Sequence, residues 1–128
     1  MSLRAELPRL SSAKSQARAT PERRRAISAS YDGTLKTWDL ETGQPLTTLE
    51  GHAGWVTAVA AYGADGRRAI SASDDNTLKL WDLESGTALA TFGGDSSFWC
   101  CDAAPDGRTL VAGDRSGRVH ILRLEEPG

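Results

Sequence analysis

The chain is short of several things, and each absence excludes a class of protein. No apolar run approaches the ~20 residues needed to cross a bilayer as a helix. The longest weakly polar stretch, residues 56–64, is interrupted by Thr57, Tyr62 and Gly63. Arg4, Glu6 and Pro8 stand where the apolar core of a signal peptide would sit. A membrane partner is therefore not expected. There are two cysteines, Cys100 and Cys101, and they are adjacent. Neighbours cannot form a disulfide framework, so a reducing cytoplasm is the expected compartment. No Gly-x-x-x-x-Gly-Lys-Ser/Thr phosphate loop occurs, nor the Gly-x-Ser-x-Gly elbow that exposes a nucleophilic serine. From Ala26 onward no segment has the 3.6-residue apolar periodicity of a long helix.

What is present is the composition of one globular domain: 128 residues, 39% hydrophobic and 25% charged. The net charge of −2 conceals an asymmetry: residues 1–25 carry +5 and residues 26–128 carry −7. No aromatic residue precedes Ala26, so a boundary near Arg25 divides a basic segment, 1–25, from the remainder, 26–128. Leu3, Leu7, Leu10, Ala13 and Ala17 fall at roughly helical spacing, weakened by Pro8 and Ser11-Ser12. A short helix and a degenerate strand both remain open for residues 1–25.

The dominant feature is a word written twice. Residues 26–39 read Ala-Ile-Ser-Ala-Ser-Tyr-Asp-Gly-Thr-Leu-Lys-Thr-Trp-Asp, and residues 69–82 repeat it with few changes. Aligned over residues 26–50 and 69–93, 16 of 25 positions are identical, at a period of 43. A fixed period of this size marks units that bury their faces against neighbours. Short runs at 26–30, 35–38, 46–49, 55–61, 69–73, 78–81, 89–92, 98–104, 110–113 and 118–122 read as ten strands. Asp32-Gly33, Asp75-Asn76 and Ser116-Gly117 predict two-residue hairpin turns with positive φ at both positions. The fold class expected is all-β, with four-stranded units packed radially as a partial propeller.

Gly51-His52, followed by Trp81-Asp82 29 residues after the histidine, resembles one complete WD repeat. The block ending at Trp38-Asp39 resembles the second half of another, and residues 94–124 a degenerate third. The units are thus 26–50 (partial), 51–93 (complete) and 94–128 (degenerate), about two and a half blades. The ending, residues 104–124, is similar to the last blade of bacterial signal-transduction ATPases of the NB-ARC/NACHT type with WD-repeat C-termini. The resemblance implies a rigid platform for protein contacts, with no cofactor and no catalysis.

It also implies roles for particular residues. His52, Ser71, Asp75 and Trp81 would form an internal hydrogen-bonded tetrad. The first unit keeps Ser28, Asp32 and Trp38, a partial tetrad without the histidine. In the third, Asp95, Ala112, Ser116 and Leu122 stand at the four positions. Serine, histidine and aspartate together also suit a hydrolase, the alternative the resemblance argues against. Trp55, Asp95, Phe98 and Trp99 lie near loops that precede inner strands and are the candidate partner contacts. His120 reads as an ordinary strand residue. The cysteines read as small hydrophobes on opposite faces of one strand, since metal sites need wider spacing and further ligands. Arg23-Arg24-Arg25 could contact nucleic-acid phosphates. However, Arg24 and Arg25 match Arg67 and Arg68, which lead into the second copy of the strand, so the triplet reads as a blade edge.

Propellers close with about 4–8 blades. Two and a half leave sheet faces bare, so the chain is expected to be part of a larger propeller or to oligomerise, three copies supplying about seven blades. The expected partners are a protein or peptide, and further copies of the chain.

Overall fold

The computed structural model describes residues 14–20, 24–63 and 66–125. The described residues form eleven strands and no helix. These are β1 (Lys14–Ala19), β2 (Arg25–Ser30), β3 (Leu35–Asp39), β4 (Pro45–Leu49), β5 (Val56–Tyr62), β6 (Arg68–Ser73), β7 (Thr77–Asp82), β8 (Thr87–Gly93), β9 (Phe98–Ala103), β10 (Thr109–Asp114) and β11 (Val119–Arg123). They build three antiparallel sheets in strict chain order: β1-β2-β3-β4, β5-β6-β7-β8 and β9-β10-β11.

The ten strands read from the sequence are all present, within a residue or two at their ends, as β2 to β11. The eleventh, β1, belongs to the segment read as a helix or a degenerate strand, and its described part is strand. It pairs with β2 from Lys14↔Ser30 to Ala19↔Ala26. The compositional boundary near Arg25 therefore runs through a sheet, and the first unit has its inner strand. The rest of the proposed helix, residues 3–13, lies outside the described residues.

The hairpin turns differ from the expected type. Ser30 N–H bonds the Thr34 carbonyl, and Gly33 N–H bonds the Ser30 carbonyl. Positive φ occurs at Gly33 (89°) and not at Asp32. This is a three-residue loop closing on a left-handed residue. The Asp32 carboxylate favours it by accepting from the Thr34 N–H and hydroxyl. Asn76 (φ 72°) takes the same place in the second sheet, as asparagine tolerates that conformation better than most residues. The aspartate of each Trp-Asp pair caps the next turn: Asp39 Oδ1 accepts from Glu41 N–H at 2.8 Å, and Asp82 Oδ1 from Glu84 N–H at 2.9 Å.

Alternation along each strand gives every sheet two faces, and the middle sheet buries both along β5, β6 and β7 while β8 stays exposed. Val59, Ala69 and Trp81 pack with Ile27, Ala29, Leu35 and Leu49 of the first sheet. Ala58, Ala60, Ile70, Ala72 and Leu78 pack with Phe98, Cys101, Leu110 and Ala112 of the third. Each fully buried large side chain contributes roughly 1.5–3 kcal/mol, so these two interfaces hold the sheets in place. Arg25 adds a polar tie, its guanidinium donating to the Gly66 carbonyl at 2.9 Å. That is a blade-edge role for the end of the arginine triplet. Arg18 of β1 reaches Asp102 of β9 at 3.7 Å, so the inner strands of the outer sheets approach each other.

Candidate functional site

Four side chains from separate elements meet in the middle sheet. Trp81 Nε1 donates to Ser71 Oγ at 2.8 Å, Ser71 Oγ lies 2.6 Å from His52 Nε2, and His52 Nδ1 lies 3.0 Å from Asp75 Oδ2. Asp75 also accepts from the Ala53 N–H at 2.9 Å and from the Thr77 N–H and hydroxyl. The loop carrying His52 is thereby tied to the β6–β7 hairpin.

The proton order follows from what each group can do. Indole only donates and ionised carboxylate only accepts. Burial pushes the Asp75 carboxyl up, but hydrogen bonds from Thr77, Ala53 and His52 outweigh it and hold it down at about 2. Nδ1 of His52 therefore carries the proton toward Asp75. Trp81 fills one lone pair of Ser71, so the serine hydroxyl donates to Nε2. Burial lowers the His52 pKa despite the pull of Asp75, which keeps this tautomer neutral.

Asp75, His52 and Ser71 have the connectivity of a hydrolytic triad. Ser71 is fully buried, however, and its oxygen is engaged by Trp81. The hydroxyl has no path to a substrate. Gly51 permits the close fit: a Cβ there would stand 3.2 Å from the Trp81 ring, at φ 154°.

The other sheets depart from this plan. In the first, Trp38 Nε1 donates to Ser28 Oγ at 3.0 Å, while Asp32 serves its own turn. In the third, an arrangement absent from the sequence reading appears. Asp114, almost buried, takes Ser116 N–H and hydroxyl and Arg118 N–H on Oδ1, and His120 Nε2 at 2.9 Å on Oδ2. The donors Ser116 and His120 hold its carboxyl well below the usual range. His120 also packs edge-on against Phe98 and Phe92. Asp95, at the histidine position of the tetrad, instead points to solvent and pairs with Arg118 at 3.8 Å.

The four candidate contact residues separate. Trp55 and Trp99 are each 55% exposed. Phe98 is fully buried in the core between the second and third sheets and cannot present its ring to a partner. The reason is a bulge. Cys100 pairs with Gly113 and Phe98 with Asp114, so Trp99 is the extra residue and Phe98 takes the core register held by Val56 in the second sheet. Among the described residues no group of histidine, cysteine or acidic side chains could hold a metal. Cys100 is exposed, and Cys101 is buried, which pushes its thiol far up.

Trp55 and Trp99 share a shallow cleft of about 400 Å³ with Tyr31, Thr57, Asp74 and Arg115. Tyr31, Asp74 and Arg115 are the first loop residues after β2, β6 and β10, so one rim of all three sheets contributes. Thr57 and Trp99 are the bulged residues of β5 and β9. The Tyr31 and Trp55 rings lie 4.8 Å apart, tilted by 40°.

Comparison with known proteins agrees with this architecture. The family described as WD domain, G-beta repeat (WD40) matches residues 43–82 and 86–122. The angio-associated migratory cell protein of Homo sapiens is 45% identical over 47 residues, covering 34% of this chain and 11% of that protein. Nuclear distribution protein PAC1-2 of Uncinocarpus reesii is 54% identical over 33 residues, covering 26% and 7% respectively. The chain therefore spans about a tenth of the curated relatives it matches. The crystal structure of the Cps50 (Swd1) β-propeller domain of Myceliophteria thermophila superposes with a TM-score of 0.83 at 24% identity, over 92% of this chain and 38% of that one. With repeats matched over more than half its length and its sheets stacked as propeller blades, the chain belongs to the WD40 family.

Proposed function

We propose that the chain is a non-enzymatic interaction module, docking a protein or peptide in the cleft between Tyr31, Trp55 and Trp99. The observation that carries this is the cleft itself. Three exposed aromatic side chains from three blades converge on one rim, beside the carboxylate of Asp74 and the guanidinium of Arg115. Aromatic rings give large contact area at low entropic cost, and charged groups at the edge fix orientation. The buried Asp75–His52–Ser71 chain is scaffold in this reading. The similarity of residues 104–124 to the final blade of NB-ARC/NACHT-type receptors supports a sensor arm as its setting. The blades act within a ring completed by further blades or by a second copy.

The test is selection of binders from a displayed random-peptide library on the immobilised chain. Peptides that dock in the cleft weaken by roughly 30-fold or more on Trp55→Ala or Trp99→Ala, about 2 kcal/mol for a hot-spot aromatic. They retain affinity on Leu46→Ala, an exposed residue of β4. Peptides indifferent to both tryptophans would overturn the reading.

A further inference from the structure

The two outer blade faces are of opposite kinds. Within the chain each junction joins the face of one blade bearing the Ile27 or Ile70 position to the next blade's face bearing the Trp81 or Leu122 position. The third blade leaves a face of the first kind: Cys100, Asp102, Val111, Val119 and Ile121, with Val119 73% and Ile121 66% exposed. The first blade leaves a face of the second kind: Ala17, Ala19, Ala26, Ser28, Lys36 and Trp38. By register, Val111, Val119 and Ile121 stand where the middle blade has Ile70, Leu78 and Leu80. Trp38 stands where it has Trp81.

We propose that a second copy of this chain covers both faces, head to tail, so that two chains close a ring of six blades. The proposal rests on reading the chain as propeller blades that act within a completed ring. Two quantities select two copies. One chain supplies three blades, below the range of about 4–8 in which propellers close; two chains give six and three give nine, which exceeds it. The three copies expected from the sequence followed from counting two and a half blades; counted as sheets, the chain has three, of four, four and three strands. The second quantity is area. Strands of about six residues, rising ~3.3 Å each and spaced ~4.8 Å, give a blade face of roughly 300 Å². One junction then buries roughly 600 Å², the scale of a packing contact, whereas the two junctions of a closed pair bury roughly 1,200 Å², the scale of a specific interface. An open head-to-tail chain has one weak junction per added copy, and the closed pair has two that act together.

Light scattering on the 128-residue chain during size-exclusion chromatography should give twice the 13.7 kDa chain mass. Ile121→Arg, on one bare face, and Ala17→Arg, on the other, should each reduce it to one chain. Cys100 reports on the same face in the unaltered protein: its alkylation by N-ethylmaleimide should slow as chain concentration rises, and in Ile121→Arg should not depend on concentration. A single-chain mass with cooperative unfolding overturns the proposal, as do masses of three chains or more, or a doubled mass that survives both substitutions. Should a variant fail to fold, the thiol in the unaltered chain decides, and a labelling rate independent of concentration is refutation. Tyr31→Ala, in the cleft, should leave the mass doubled. Loss of peptide binding with a doubled mass therefore counts against the docking reading alone, and a single-chain mass that still binds peptide counts against the ring alone.

Discussion

Replacing Ser71 by alanine isolates what the buried network contributes. The hydroxyl is the junction of two bonds, from Trp81 at 2.8 Å and to His52 at 2.6 Å. Its removal leaves an indole N–H and an imidazole nitrogen without their partner in a buried site. A buried polar group so stranded costs about 1–3 kcal/mol, so Ser71→Ala should destabilise by roughly 2–4 kcal/mol. That is a large part of the ~5–15 kcal/mol typical of a small domain. Ser28→Ala is the internal control: the same indole bond occurs there at 3.0 Å, but no histidine shares it, so one bond is lost where Ser71→Ala loses two. About 1 kcal/mol or less is expected. With a urea slope of roughly 1–3 kcal/mol per molar, followed by tryptophan fluorescence, the midpoint should fall by about 0.7 M or more for Ser71→Ala and by clearly less for Ser28→Ala. Equal shifts, or a larger one for Ser28, would refute the network argument.

Stability should fall on acidification in two windows. The lowered His52 pKa means that the unfolded chain takes a proton first below about 6.5, so its contribution is complete above that pH and declines beneath it. Asp75, held at about 2 against 3.8 when unperturbed, adds a second loss between those values. Urea midpoints measured from pH 8 to pH 2 check this, and His52→Gln should flatten the upper window. Phe98→Ala, which empties a core position, should cost about 3–5 kcal/mol; a shift under 1 kcal/mol in thermal unfolding would contradict its burial. Gly33→Ala should destabilise by about 1 kcal/mol or more, because φ is 89° and the new Cβ would lie 3.0 Å from the His52 carbonyl. Asn76→Gly, at the matching turn, should be neutral or stabilising in the same assay.

The parts of the fold legible in the sequence are those written twice. Trp38-Asp39 and Trp81-Asp82 fix the same strand and the same capped turn because one geometry solves both. β1 was hidden for a physical reason. Its residues, Lys-Ser-Gln-Ala-Arg-Ala, show no apolar alternation, and part of its anchoring is polar: Gln16 Oε1 accepts from the Val59 N–H at 2.6 Å. The Asp114–His120 pair was hidden because both residues moved. Asp114 stands at the position of Ser73 and His120 at that of Lys79, so alignment on the four tetrad positions passes between them. Phe98 was misplaced by the one-residue bulge at Trp99, which no composition records. The aromatic cleft was half legible: Trp55 and Trp99 stood out as tryptophans outside any Trp-Asp pair, whereas Tyr31 and Arg115 looked like ordinary turn residues.

The strict strand order has a consequence for how the molecule assembles. Within each sheet every strand pairs only with strands adjacent to it in the chain, so each loop to be closed is short and its entropic cost small. Local pairing of this kind allows ordering to begin in one blade and spread outward. The middle blade, with its complete tetrad and both faces covered, is the natural origin. Amide hydrogen exchange should accordingly be slowest in β5, β6 and β7 and fastest in the exposed edge strands β4, β8 and β11, a gradient of protection decreasing from the centre of the chain toward each end.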